Sequence, residues 1–222
     1  DLGGDATVSA FWMAETEGTN ELVASVYQWA YDNSKLSGGT VSSTTVRLHG
    51  KELLDLDRGY IQISYSEGTF TVDSGYEDYP CVEITWYGAI LLCNWLTEMA
   101  DGNTDQIVYS GMDADWVDDE TVEDTAKTGF RLPSSNEWEC AARYIEDANS
   151  DGDITDAGEY YPGDHVSGDT TSYCYRDPSD DGTSTVFGDY AWYIDNSDTD
   201  PHSDFFDDEG TWKGTHPVGT AG

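Results

Sequence analysis

Positive charge is scarce in this 222-residue chain. Its 9 Lys and Arg residues face 45 Asp and Glu residues, which gives a formal net charge of −36. So negative a surface repels phosphate groups, and we therefore expect neither nucleic acid nor an anionic membrane surface as a partner. The excess of carboxylates instead favours divalent cations as ligands, or a high-salt environment in which an acidic surface stays soluble.

Long apolar runs are also absent. No stretch approaches the roughly 18 apolar residues that a membrane-spanning helix needs, so we expect no membrane span. Aromatic residues, in contrast, make up 13% of the chain, well above what a disordered acidic chain carries. The length suffices for one large domain with a proper core, and the composition therefore predicts a folded acidic protein.

Cysteine is sparse, and its spacing argues against zinc. The four cysteines form no C-x-x-C pair and have no neighbouring His; they are Cys81, Cys93, Cys140 and Cys174. An even number in an acidic, aromatic-rich chain favours two disulfides and a secreted or cell-surface protein. Four cysteines allow three connectivities, and buried free thiols are the alternative.

Apolar residues at helical spacing predict two long helices. The first covers residues 19–30 with Thr19 as its N-terminal cap, and the second covers about residues 85–99 with Thr85 in the same role. A Ser-, Gly- and Thr-rich loop is expected between them, near residues 37–45.

A third helix and a β-hairpin follow from local patterns. The capping box Ser134-x-x-Glu137 predicts a helix that continues through Ile145. Alternating residues at 60–65 and 69–72 predict the two strands of a hairpin. A few helices and short strands joined by long loops indicate an α+β domain.

The sharpest local chemistry lies in residues 147–159, D-A-N-S-D-G-D-I-T-D-A-G-E. Oxygen donors at positions 1, 3 and 5 of this segment, a glycine at position 6 and an aliphatic residue at position 8 match the first part of a helix-flanked Ca²⁺ loop. Gly152 permits the sharp turn on which the donors converge. The expected ligands are three side chains and the backbone carbonyl at position 7: Asp147, Asn149, Asp151 and Asp153.

The end of this loop departs from the pattern. Position 12, where a bidentate carboxylate closes such a loop, is Gly158. Asp156 lies two residues earlier and Glu159 one residue later, so a shifted carboxylate closes the coordination or the coordination is incomplete. No helix is predicted after the loop, which favours a single Ca²⁺ loop inserted in the domain; a solvated acidic turn is the alternative.

Four segments carry longer motifs. They are F-W-M-A-E-T-E-G-T-N at 11–20, P-C-V-E-I-T-W-Y-G-A at 80–89 with L-C-N-W-L at 92–96, G-F-R-L-P-S-S-N-E-W-E-C-A-A-R at 129–143, and Y-A-W-Y-x-x-N-S at 190–197 with T-H-P-V-G at 215–219. In this order they resemble the motifs of the formylglycine-generating enzyme (sulfatase-modifying factor) family. The resemblance implies a single domain over residues 1–222 with that family's irregular, C-type-lectin-like α+β fold.

The resemblance does not extend to the family's oxidase chemistry. That reaction uses a cysteine pair to bind copper, as soft thiolates suit Cu(I). In the family this pair follows the T-H-P-V-G segment, whereas the present chain ends at Gly222. The resemblance therefore implies a domain truncated at its C-terminus, in which no catalytic residue can be carried over.

The resemblance also implies contacts between particular elements. The second and third helices lie close together in the family fold, which pairs Cys93 with Cys140 and leaves Cys81 for Cys174. Trp86, Trp95 and Trp138 would serve as apolar anchors on the helix faces. In a truncated domain, however, the faces around Trp86, Trp138 and Trp192 are expected to be partly uncovered.

Two functions remain as hypotheses. The first is a non-enzymatic extracellular module, lectin-like and stabilised by Ca²⁺, which binds a glycan or protein ligand or assembles with copies of itself into a surface structure. The second is part of a formylglycine-generating copper oxidase that activates sulfatases. We favour the module, because the sequence offers no Ser/His/Asp or Cys/His arrangement and no phosphate loop.

Overall fold

The structure, a computed structural model, describes residues 8–113, 121–144, 146–152, 156 and 158–159. Contacts divide the chain into two compact units. The core unit is described within residues 16–132, and the loop unit is described over residues 8–15 and from Pro133 onward.

Helix α1 of the core unit spans Asn20–Asp32. The Thr19 hydroxyl accepts a hydrogen bond from the backbone N–H of Leu22 at 3.1 Å, which satisfies one of the open donors of the first turn. The Asn33 side-chain amide donates to the Trp29 carbonyl at 2.9 Å and closes the other end. The predicted first helix and its cap are confirmed.

Helix α2 spans Trp86–Asp101, with Thr85 as the N-terminal cap and Gly102 in the left-handed region (φ 67°) at the C-terminal end. Its start was predicted correctly. Trp95 is buried in the core as expected, but Trp86 is 49% exposed because it stands in the first turn, at the border of the buried face.

The strands of the core unit are short and antiparallel. A three-stranded sheet has the order β1-β2-β3, and two further pairs are β4–β5 and β6–β7. Their bounds are β1 Thr40–Val41, β2 Thr45–Leu48, β3 Lys51–Asp55, β4 Ile63–Ser66, β5 Thr69–Val72, β6 Tyr109–Ser110 and β7 Val122–Glu123.

Two of the hairpins have two-residue turns in which the second residue is glycine. His49-Gly50 joins β2 to β3, and Glu67-Gly68 joins β4 to β5; all four residues have positive φ, as type I′ turns require. The second hairpin confirms the predicted pair of strands, although the first of them begins at Ile63. Of the segment expected as a loop near residues 37–45, residues 40, 41 and 45 lie in β1 and β2, whereas the other six lie outside the strands.

The core of this unit surrounds Tyr27, which is fully buried. Its ring packs edge-to-face against Trp95, with centroids 5.3 Å apart, and against Phe70 at 6.0 Å. Helix α2 meets β3 at Gly88, where an added Cβ would lie 2.1 Å from the Leu53 carbonyl oxygen. Glycine at this position therefore allows the helix to approach the strand backbone directly.

The loop unit contains helix α3, Ser135–Arg143. Its capping box is formed as predicted: the Ser134 hydroxyl accepts from the Glu137 N–H at 3.3 Å, and the Glu137 carboxylate accepts from the Ser134 N–H at 2.8 Å. The helix ends at Arg143, and Ile145 lies outside the described residues. Trp138 is 64% exposed and is therefore no buried anchor, which agrees with the expectation that its face is partly uncovered. Trp192 lies outside the described residues.

Three helices and short antiparallel sheets in the described residues confirm the predicted α+β class. Within the same residues, no helix combines the length and the apolar character that crossing a bilayer requires.

Candidate metal site

The predicted Ca²⁺ loop starts four residues after the last residue of α3. The chain turns around the carboxylate of Asp147: Oδ1 accepts from the Asp151 N–H at 3.1 Å, and Oδ2 accepts from the Gly152 N–H at 3.0 Å. Gly152 has φ 81°, so glycine supplies the sharp turn that the pattern predicts.

Asn149 connects the two halves of the loop. Its Oδ1 accepts from the Asp151 N–H at 2.9 Å. Its Nδ2 donates to Oδ2 of Asp151 and to Oδ2 of Asp156, both at 3.0 Å. The three side chains expected as ligands, Asp147, Asn149 and Asp151, are thus held together, and the carboxylate of Asp156 joins them.

Glu159 is the most buried acidic residue among the described residues of the loop, at 3% exposure. Its Oε1 accepts from the Ala148 N–H at 2.9 Å, which places the carboxylate against the first turn. Among the described residues, its buried Oε2 has no hydrogen-bond partner. Leaving a carboxylate oxygen buried without a partner is costly.

The donors of the described loop suit a hard cation. The side chains supply carboxylate and amide oxygens and no sulfur or imidazole, which is the set that Ca²⁺ prefers. In the described part of the chain, no three His, Cys, Asp or Glu side chains are already grouped as a metal centre. Both oxygens of Asp147 face backbone N–H groups, and the amide of Asn149 lies between the carboxylates of Asp151 and Asp156.

Two features of the site could not be read in the sequence. The pattern left open which carboxylate closes the loop, whereas the structure distinguishes Asp156, held by Asn149, from Glu159, buried against Ala148. Asp153, whose carbonyl was expected as the next ligand, lies outside the described residues. The full ligand set therefore stays a prediction.

Three of the four cysteines lie in the described residues. Cys81, Cys93 and Cys140 are free thiols there, Cys93 buried and the other two half-buried. The Cys93–Cys140 bond that the resemblance implies stays a prediction. Burial raises the pKa of Cys81 and of Cys93 to about 12, so both are protonated at neutral pH. Cys174 lies outside the described residues, and its pairing with Cys81 stays a prediction.

The elements around these sites define an α+β domain of the C-type-lectin-like type. Residues 4–202 match the family model of the sulfatase-modifying factor enzyme 1-like domain. The chain therefore belongs to this family, as its motifs predict. The match includes the loop at 147–159 and ends before the T-H-P-V-G segment at 215–219.

CarF, which has a crystal structure, is weakly similar to this chain. The two chains are 20% identical in sequence, and their structures superpose with a TM-score of 0.37. The similarity covers 58% of this chain and 42% of that chain, so the present chain spans less than half of its length. No curated protein matches the sequence.

Proposed function

We propose that this chain is a non-enzymatic, lectin-like module of the sulfatase-modifying factor family that acts outside the cell and is stabilised by one Ca²⁺ bound in residues 147–159. The observation that carries the proposal is the buried, unpartnered Oε2 of Glu159, held against a loop in which Asp147, Asn149 and Asp151 already converge. A bound cation would satisfy this oxygen and neutralise the loop.

Ca²⁺ fits this loop better than other common cations. Transition metals favour imidazole and thiolate ligands, which the described loop lacks. Mg²⁺ demands nearly ideal octahedral geometry and keeps much of its water, whereas Ca²⁺ accepts six to eight oxygens in irregular arrangements. A loop with a displaced closing carboxylate and an amide donor therefore favours Ca²⁺.

The net charge of −36 supports a stabilising role for the ion. Self-repulsion among carboxylates weakens the compact state, and a bound divalent cation reduces it. Binding to the native form alone would add roughly 2.7 kcal/mol to the free energy of unfolding at a hundredfold excess over Kd.

Exposed aromatic side chains support a role in binding. Trp86 in the core unit and Trp138 in the loop unit each expose about half or more of their surface. Exposed indole rings suit a glycan, a protein ligand or a neighbouring copy of the chain.

Thermal unfolding in calcium and then in chelator tests the calcium site. We expect calcium to raise the melting midpoint of the wild type by about 5 to 11 °C at a hundredfold excess over Kd. Asp151→Ala and Glu159→Gln should lose most of this response. Asp78→Ala, which removes an exposed carboxylate of the core unit, should keep it. A wild-type midpoint that is the same in calcium and in chelator would rule the site out.

A further inference from the structure

We propose that a groove beside the turn between β2 and β3, lined by Arg47 and His49, binds a sugar that carries a carboxylate. The inference rests on the binding role in the proposed function and adds the class of ligand and the place where it binds. It does not depend on the calcium loop, which belongs to the other unit of the chain.

The groove lies in the longest stretch of the chain without an acidic residue. Asp and Glu make up 45 of the 222 residues, yet residues 33–51 contain neither of them. The same stretch includes Lys35, Arg47, His49 and Lys51. Because carboxylates repel an anion, this stretch opposes a negatively charged ligand less than the rest of the chain does.

The three cationic side chains of this stretch face different surroundings. Lys35 pairs with the carboxylate of Glu98 on α2. The ammonium group of Lys51 lies 4.8 Å from the centre of the Tyr87 ring, also on α2. Arg47 lines the groove. Its guanidinium therefore gives the groove its positive charge.

The groove has the size of a small ligand site. Its volume is about 340 Å³, at the lower end of the roughly 300 to 1,000 Å³ that such sites enclose. Gly38, Gly39 and Gly50 form part of its wall, and the described residues that line it include no acidic side chain. An added Cβ at Gly38 or Gly50 would meet no atom within 4 Å, so their side of the groove is open.

Two contacts hold Arg47 at the groove. Its Nη2 donates to the Gly50 carbonyl at 3.0 Å, and its Nη1 lies 3.4 Å from Oε1 of Glu52, its partner across the β2–β3 pair. Among the described residues, these contacts engage only part of the five N–H donors of the guanidinium group. The side chain is 43% exposed, so the other donors can reach a ligand.

A carboxylate is the anion that suits this fork best. Guanidinium binds a carboxylate through two parallel N–H···O bonds. Phosphate fits the same fork, but its larger negative charge is repelled more strongly by a chain with a net charge of −36. The exposed Thr40 hydroxyl and the His49 imidazole line the same groove and suit the hydroxyl groups of a sugar.

Titration of the ¹⁵N-labelled protein with sodium glucuronate, followed by NMR at constant ionic strength, tests the inference. We expect saturable shifts of the amide resonances of Gly38, Gly39 and Gly50. Glucose lacks the carboxylate and acetate lacks the hydroxyl groups, so each should bind at least about tenfold more weakly than glucuronate. Glucose or acetate that binds as tightly as glucuronate would overturn the assignment to an acidic sugar.

Two variants test the role of the guanidinium group. Arg47→Gln should weaken glucuronate binding at least about tenfold, because the charge-assisted pair of bonds is lost. Arg58→Gln is the matched control: it removes a guanidinium group that pairs with Asp55 and does not line the groove, so it should bind like the wild type. The dispersion of the amide spectrum shows that each variant is folded. Equal affinities of Arg47→Gln and the wild type would contradict the inference.

The outcomes also separate this inference from the proposed calcium site. A melting midpoint that rises with calcium in a protein without affinity for glucuronate would overturn the groove and leave the calcium site standing. Glucuronate binding in a protein that does not respond to calcium would support the groove and overturn the calcium site.

Discussion

At the scale of single residues, the hydroxyl of Tyr27 destabilises the core unit. The side chain is fully buried, and its OH has no hydrogen-bond partner among the residues that the structure describes. Burial raises the pKa of the phenol well above its ordinary value. The ring itself is well packed against Trp95 and Phe70. The aromatic body therefore stabilises the core while the oxygen opposes it.

Removing that oxygen should not weaken the protein. We expect Tyr27→Phe to raise the free energy of unfolding by up to about 1 kcal/mol, because an unsatisfied buried group is lost and the ring is kept. Tyr109→Phe is the matched control: its OH accepts from the Leu132 N–H at 2.9 Å, so its loss should cost about 1 kcal/mol. Urea denaturation measures both. A larger loss in Tyr27→Phe than in Tyr109→Phe would contradict the prediction.

The buried thiols predict a loss of stability at alkaline pH. Burial raises the pKa of Cys81 and Cys93 to about 12 in the folded protein, whereas an unfolded cysteine ionises near pKa 8.5. Above that pH the unfolded chain releases protons that the folded chain retains. Stability should therefore be complete below about pH 8.5 and fall by up to about 1.4 kcal/mol per pH unit for each thiol towards pH 12.

Urea denaturation at pH 7.5 and 9.5, with a reducing agent present, checks this slope. The upper pH stays below the ordinary tyrosine pKa of about 10, so the thiols dominate the change. The double variant Cys81→Ala/Cys93→Ala should lose less stability between the two pH values than the wild type. Parallel losses in the two proteins would show that other groups are responsible.

At the scale of elements, helix α3 depends on a local bond network. Replacing Ser134 by Ala removes the acceptor for the Glu137 N–H and should cost about 1 kcal/mol of stability. Ser135→Ala makes the same change one residue later, at an exposed helical position, and should have almost no effect. Thermal melting compares the two. Equal destabilisation would indicate that the serine hydroxyl does not cap the helix.

The elements that sequence predicted well are those fixed by short-range bonds. Thr19, Thr85 and Ser134 each cap a helix through a backbone N–H three residues on, so the pattern is visible in one short segment. The sheet β1-β2-β3 was missed although it lies within residues 40–55, because its first strand has only two residues and a bulge between Val46 and Arg47 interrupts the regular register of β2 and β3.

In the candidate metal site, too, the features fixed within a short segment were predicted and the others were not. Asp147, Asn149 and Asp151 were predicted to converge, since two-residue spacing and a following glycine suffice for that turn. The return of the chain at Asp156 and Glu159 was left open, because it depends on burial and on the orientation of one amide. The residue types alone predict neither the burial of Glu159 nor the orientation of the Asn149 amide.

At the scale of the whole molecule, the net charge of −36 predicts a strong response to salt. Repulsion among carboxylates is screened over about 10 Å at 0.1 M ionic strength and about 3 Å at 1 M. In chelator, the melting midpoint should therefore rise as KCl increases from low concentration to 1 M. NaCl should give the same increase, because screening does not depend on which monovalent cation supplies it. A midpoint that falls with either salt would show that attractive ion pairs dominate.

The contact between α2 and β3 limits which sequences can adopt this fold. At Gly88 even a methyl group would meet the Leu53 carbonyl at 2.1 Å and the Tyr27 hydroxyl at 2.7 Å. The Thr85 N–H donates to the same carbonyl at 3.0 Å, so the helix cannot move away without losing that bond. In a library that varies every codon, selection for folding should leave codon 88 encoding glycine alone, while the neighbouring helix codons drift.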